Sequence, residues 1–255
     1  MKHLFIFGLG YTAGVIAREL RQLGWTVAGT GGGAMPFDDE TQVRASLTGA
    51  SHVLSSVPPA EGLDPVLDRY GDALKHGWLG YLSSTGVYGD TGGAWIDESA
   101  PTGGGRRSAR AEADAEWLRR GARVFRLPGI YGPSRSALDR VREGKAHRID
   151  LPGQVFSRVH VEDIASGVIA ALEAPAGAYN LADDLPCSQN AVIEEACRLA
   201  GVPQPPLLSL GEAGLSPAAR AFYAENRRVA NGKAKRVLGW RPRYPTYREG
   251  LRALF

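Results

Sequence analysis

The sequence predicts an α/β protein: a doubly wound, mostly parallel sheet with helices on both faces, followed by a smaller, mostly helical lobe. Three observations predict it. Short apolar runs alternate with stretches of helical period from residue 4 to about residue 181. The first run, Leu4-Phe5-Ile6-Phe7, passes through a glycine turn directly into one of those stretches. From about Asp183 the remainder reads as helical and is punctuated by proline. The expected division is residues 1–182 for the sheet unit, with some lobe insertions after about 131, and 183–255 for the lobe.

Period places the elements in order. Val15, Ile16, Leu20 and Leu23 share one face of a first helix. Trp25–Gly29 reads as a second strand and Met35-Pro-Phe37 as a weak third, with a short polar helix from about Asp39. Ser51–Val57 is a fourth strand, stopped by Pro58-Pro59. Leu63, Val66, Leu67, Tyr70 and Leu74 form a helical stripe, and Trp78–Ser83 is a fifth strand. Ala113, Trp117 and Leu118 mark a helix over 109–120, and Arg123–Leu127 is a sixth strand ended by Pro128. Ile164, Ala165, Val168, Ile169 and Leu172 set a helix over about 162–173, and Ala178–Leu181 is the last strand. In the lobe, Ser216-Pro217 reads as a cap with a first-turn proline. Thr246-x-x-Glu249 reads as a capping box ahead of Leu251 and Leu254.

Gly8-Leu9-Gly10-Tyr11-Thr12-Ala13 carries the clearest chemistry. Strand, glycine turn and helix in that order form the phosphate-binding corner of a dinucleotide (Rossmann-type) fold. Gly8 permits the sharp turn, Gly10 lets the main chain approach a pyrophosphate, and Ala13 lets the helix lie close to the strand. The helix start offers unpaired N–H groups and a positive dipole end to phosphates. After the second strand, Thr30 and the amides from Gly31 onward can accept a phosphate, with Arg44 a more distant candidate. No Asp or Glu stands there to bond a ribose hydroxyl and repel a 2′-phosphate. The cofactor expected is NADP or NAD, with a lean to NADP. Ser83, Ser84 and Thr85 end the fifth strand, where ligands of such sheets collect, so their hydroxyls can bond a substrate oxygen.

Composition narrows the class. At 255 residues and 44% hydrophobic, the chain can bury a full core. Cys187 and Cys197 have no metal-like spacing to histidine, so neither a disulfide framework nor a metal site is expected. Cys197 falls on the apolar face of a helix with Val192, Ile193, Ala196 and Ala200 and is expected in the core. No stretch approaches the roughly 20 apolar residues of a membrane span, and the expected location is cytoplasmic. The net charge of +3 is uneven: residues 220–255 hold ten Lys/Arg against Glu225 and Glu249. These charges lie among prolines and helix ends with no stacking motif, so an anionic small molecule is expected rather than nucleic acid. Monomer and homodimer are both open.

Several segments together resemble the extended or atypical short-chain dehydrogenase/reductases, in their NAD-dependent epimerase/dehydratase-like branch. They are the glycine turn, Ser83-Ser-Thr-Gly-Val-Tyr-Gly89, Arg126-Leu-Pro-Gly-Ile-Tyr-Gly-Pro133, Arg158-Val-His-Val-Glu-Asp163, Tyr179-Asn-Leu-Ala-Asp183, and Leu238-Gly-Trp-Arg-Pro-Arg-Tyr-Pro245 with Glu249-Gly-Leu251. The resemblance covers nearly the whole chain. It implies that Ser84 occupies the catalytic serine/threonine position. It also implies that Val57, Pro58 and Pro59 pass the nicotinamide side of the cofactor, and that Pro128, Gly129 and Ile130 face its carboxamide. Asp38 matches a place where similar proteins touch adenine, or else caps a helix. Arg135, Arg142, Lys145, Arg148 and Arg158 would face the cleft, Arg158 first among them; His160 is taken as structural.

One part of the family's machinery is missing. A Tyr-x-x-x-Lys pair there moves the proton that accompanies hydride transfer, the lysine lowering the tyrosine from its usual pKa near 10. The matching region here is Gly103-Gly-Gly-Arg106-Arg-Ser-Ala-Arg110. Alignment puts Arg106 at the tyrosine place and Arg110 at the lysine place; a one-residue slip puts Gly105 and Ala109 there. Arg110 can keep the lysine's electrostatic role, whereas a guanidinium stays protonated and is no ordinary acid. Tyr88 or Tyr131 would then donate, or water acting with Ser84. Two functions stay open: an NAD(P)-dependent oxidoreductase or epimerase/dehydratase-like enzyme, and a sensor that binds the dinucleotide without turnover.

Overall fold

Leu4, Phe5, Ile6 and Phe7 are all fully buried, because the strand they form has helices on both faces. Side chains alternate across a strand, so Leu4 and Ile6 enter one apolar core and Phe5 and Phe7 another. Each such side chain contributes roughly 1.5–3 kcal/mol by leaving water. The structure is a computed structural model that describes residues 2–60, 62–105 and 108–255.

In chain order the sheet unit runs β1 (His3–Phe7), α1 (Tyr11–Gln22), β2 (Thr26–Gly29), α2 (Glu40–Thr48), β3 (His52–Ser55), α3 (Pro65–Tyr70) and β4 (Trp78–Ser84). A 3-10 turn (Thr85–Tyr88), β5 (Trp95–Ile96), α4 (Ser108–Arg119), β6 (Arg123–Leu127) and β7 (Gly129–Tyr131) follow. Next come α5 (Ala137–Arg142), β8 (Arg148–Ile149), β9 (Arg158–His160), α6 (Val161–Ala170) and β10 (Gly177–Asn180). The remainder holds α7 (Gln189–Ala200), β11 (Leu207–Leu208), α8 (Pro217–Phe222), β12 (Arg228–Val229), α9 (Gly232–Leu238) and α10 (Tyr247–Leu254).

Six strands pair in parallel in the order β10-β6-β4-β3-β1-β2. Helices α1 and α6 cover one face, with Ile16, Leu20, Ile164 and Val168 in its core. Helices α2, α3 and α4 cover the other through Val43, Leu47, Tyr70 and Trp117. A third core joins α5, α7 and α10, where Cys197 is buried beside Ile193 and Leu251. Helix α9 and Trp240 return to the first core, so the chain after residue 183 divides between lobe and sheet.

Two local expectations change. Met35-Pro-Phe37 is no strand: Met35 makes one isolated bridge to Thr30. Pro36 has no N–H to donate to a ladder, and Phe37 turns onto Phe7 and Tyr70. The stripe over 63–74 forms helix only as α3, started by the Asp64 carboxylate, which accepts from Val66 and Leu67 N–H, and closed at Gly71.

Candidate functional site

From β1 the chain crosses to β2 on one side and to β3 on the other, so a crevice opens beyond the C-terminal ends of these strands. Gly8 fills that corner at φ +83°, a region that favours glycine. Its N–H donates to the Thr30 hydroxyl, and its carbonyl accepts from Ser56 Oγ. Gly10 caps α1 with no side-chain hydrogen bond. A Cβ added to Gly10 would meet nothing within 4 Å, and this residue lines the cleft. The first-turn amides of α1 therefore face open space that a side chain at position 10 would fill. The donor set and the space fit a diphosphate.

The cleft, about 840 Å³, runs from this corner past the ends of β3, β4 and β6 to the lobe. Gly10, Tyr11, Thr12, Ser56, Pro58, Ser83, Ser84, Thr85, Arg110, Pro128, Gly129 and Ile130 line its sheet side. The Tyr11 phenol donates to the Pro133 carbonyl at 3.0 Å, tying the glycine turn to the loop that carries Arg135. Ser84 Oγ accepts from the Gly86 N–H at 3.1 Å. Arg110 Nη1 donates to Tyr81 Oη at 2.8 Å and to the Leu82 carbonyl at 3.4 Å.

On the lobe side stand Arg135, Arg140, His147, Phe156, Arg158, Gln189, Phe222 and Tyr223. Arg158 is only 7% exposed, and its guanidinium donates to the Phe156, Cys187 and Ser188 carbonyls, Cys187 Sγ and Gln189 Oε1, all uncharged. Among the described residues, Arg110, Arg135, Arg140 and Arg158 have no carboxylate within ion-pair distance, whereas Arg227 pairs with Glu225 at 2.9 Å. Burial, reinforced by Arg140, holds His147 below its ordinary pKa. The lobe side of the cleft carries excess positive charge.

Several expected site residues lie elsewhere. Tyr88 is buried: its hydroxyl donates to Asn180 Oδ1 and accepts from Arg126, which is itself locked to Asp114 at 2.7 Å. Ser83 lines the cleft, but its Oγ donates to the same Asp114, so its proton is committed away from a ligand. Tyr131 is buried beneath Gly250 and against His160. Neither tyrosine lines the cleft. Thr30 is buried as the acceptor for Gly8, and Gly31 lies on Leu9. Asp38 is exposed near Arg69 while Asp39 caps α2. Leu9 and Ala13 pack into the first core, and Val57 into the second; Pro59 is also outside the cleft lining. Arg142 lies over Phe255, Lys145 pairs with Glu143, Arg148 with Glu194, and Arg44 with Asp72. His160 caps α6, its Nδ1 accepting from the Glu162 N–H.

Arg106 lies outside the described residues. The slipped register, with Gly105 at the tyrosine place, is closed to any side chain: a Cβ there would stand 2.8 Å from Gly89 Cα and 2.9 Å from the Gly86 carbonyl oxygen. Arg140, His147, Phe156, Phe222 and Tyr223 were not legible as site residues, because distant segments bring them together.

No family model matches the chain. It is 42% identical, over all its length and 98% of the other, to a solved conserved protein of unknown function from Silicibacter pomeroyi DSS, with a TM-score of 0.89. Among curated proteins it is 31% identical, over 168 residues, to a 3-diazoavenalumate denitrifying reductase from a Streptomyces species. That stretch is 60% of this chain and 54% of the reductase, so the match spans about half the reductase's length. It is 25% identical to protein YeeZ of Escherichia coli, over 96% of this chain and 97% of that one. Two solved structures share the fold at low identity. A dTDP-glucose 4,6-dehydratase from Bacillus anthracis, in complex with NAD, gives 15% identity and a TM-score of 0.79 over 100% and 95% of the two chains. A human epimerase family protein with NADPH gives 17% and 0.76 over 98% of each.

Proposed function

We propose that this chain, whose fold is that of the NAD-dependent epimerase/dehydratase-like short-chain dehydrogenase/reductases, is an NAD(P)-dependent oxidoreductase of a small anionic substrate. The observation that carries the reading is the uncapped start of α1, opened by Gly10 onto a cleft whose far wall holds arginines with no carboxylate partner among the described residues. The α1 amides would hold the diphosphate, and Pro58 with Pro128–Ile130 would form the walls beside the nicotinamide. When bound, the dinucleotide supplies or takes hydride. Ser84 and Arg110 face the reacting end, and Arg140 and Arg158 supply field for the substrate's charge. The match to a reductase supports this reaction type over epimerisation. No carboxylate follows β2 to repel a 2′-phosphate, which favours NADP.

The missing Tyr-x-x-x-Lys pair favours a second reading, binding without turnover. Fluorescence titration with NADPH and NADH tests the common premise. Wild-type protein should bind NADPH several-fold more tightly than NADH, and Gly10→Val should weaken both by at least about tenfold with little change in melting temperature. Wild-type protein that binds neither at millimolar concentration ends both readings.

A further inference from the structure

The residues on the sheet side of the cleft settle what kind of oxygen they can serve. A saturated ketone or aldehyde that receives hydride becomes an alkoxide, a stronger base than guanidine, and needs a proton at once. Among the described residues the cleft's phenols and imidazole are placed elsewhere: the Tyr11 phenol is given to the Pro133 carbonyl, and His147 and Tyr223 lie with Phe156 and Arg140 on the lobe side. The Ser84 and Thr85 hydroxyls on the sheet wall are no more acidic than the alcohol that would form. Arg106 and Arg107 have guanidinium side chains, which do not act as acids near neutral pH.

Arg110 is instead arranged as a fixed cation. Its Nη1 is held by Tyr81 Oη and the Leu82 carbonyl, and its guanidinium lies over the Tyr81 ring at 5.8 Å. Tyr81 is fully buried and stacked on Trp117, so the anchor is rigid. Among the described residues no acceptor takes Nε or Nη2, and no carboxylate neutralises the charge, although Arg110 lines the cleft on the same wall as Ser84.

Building on the dinucleotide reading above, we propose that Arg110 is an oxyanion holder and that the chain takes conjugated, α,β-unsaturated carbonyl compounds in preference to saturated ones. Hydride from the reduced nicotinamide adds at the β-carbon. The carbon–carbon π pair moves toward the carbonyl, whose oxygen takes the charge as an enolate; water then protonates the α-carbon. An enolate oxygen is a weaker base than an alkoxide, so a guanidinium can hold it without giving up a proton.

The test uses the anion of 1,3-cyclohexanedione, a planar enolate at neutral pH, and its neutral 3-methoxy ether. Both are titrated calorimetrically into the full chain saturated with NADP. The enolate should bind at least about tenfold more tightly, and its affinity should stay level from about pH 6 to about pH 9, because arginine does not titrate there. Arg110→Gln should abolish the preference and Arg110→Lys should keep part of it, with the melting temperature as the control that each variant is folded. In turnover, 2-cyclohexen-1-one should oxidise NADPH and cyclohexanone should not. Equal binding of the two probes, an unchanged preference in Arg110→Gln, or faster reduction of cyclohexanone overturns the proposal while leaving the cofactor reading intact. Failure of the wild type to bind NADP ends the cofactor reading itself.

Discussion

Asp183 shows most sharply what a single buried residue adds beyond the sequence. It closes the Tyr-Asn-Leu-Ala-Asp segment and is 2% exposed, with Oδ1 accepting from the Leu185 N–H. Burial pushes its carboxyl up to about 7, against the pull of Arg158. Asp163 is pushed up to about 6 for the same reason, although the Arg243 and Tyr244 amides oppose it. A carboxyl whose folded pKa is raised favours folding below its unfolded value of 3.8 and loses that advantage as pH climbs through the folded value. Stability should therefore fall between about pH 4 and pH 7, Asp183 accounting for up to about 4 kcal/mol. Asp183→Asn keeps the shape without the charge, so it should unfold at higher urea than wild type at pH 8 and at a similar concentration at pH 4. Equal urea midpoints for the two proteins at pH 8 would show that the carboxyl ionises without penalty. The same scale explains the misplacement of Tyr88. A tyrosine four residues after Ser84 looks available in a linear reading, but Asn180 and Arg126, itself held by Asp114, engage it from other elements.

At the scale of elements, local rules were the legible ones. The turn from β1 into α1 was readable because a continuous apolar run gives way to a helical stripe across Gly8–Gly10. The starts of α8 and α10 were readable because caps are contiguous in sequence. Ser216 Oγ accepts from the Ala219 N–H. Thr246 and Glu249 exchange the two bonds of a capping box. Helix α10 places Tyr247 and Leu251 in the lobe core, so its first turn holds that core in register. Thr246→Ala should cost about 1 kcal/mol in urea unfolding and leave NADPH affinity unchanged, because α10 does not line the cleft. Where pairing partners decide, the reading was weaker. Met35–Phe37 has strand-like residues but a proline and no neighbour to complete a ladder. Arg142, Lys145 and Arg148 looked like cleft residues, whereas Arg140 is the member of that run that α5 turns into the cleft.

For the whole molecule, the cleft is built by two bodies of different origin. The glycine turn and strand ends belong to the sheet and its two cores; Phe222 and Tyr223 come from the segment of α8, about 140 residues further along the chain than Ser84. That distance is why the glycine corner was readable and the lobe wall of the cleft was not: one lies within a single turn, the other exists only after the lobe has packed. It also separates the responses to the two ligands. On the proposed reading a dinucleotide would span α1 and the ends of β3 and β6, whereas an anion drawn to Arg140 and Arg158 would lie on the side of the cleft that Phe222 and Tyr223 line. Helix α8 has six residues, and so short a helix exchanges its amide hydrogens through local opening. Hydrogen exchange should therefore report them independently. NADP alone should slow the amides at the start of α1 and leave α8 unchanged; adding an anionic substrate analogue should slow α8 as well. Slowing of α8 by NADP alone would mean that the lobe closes on the cofactor itself, and the arginine wall would then lose its assignment to substrate.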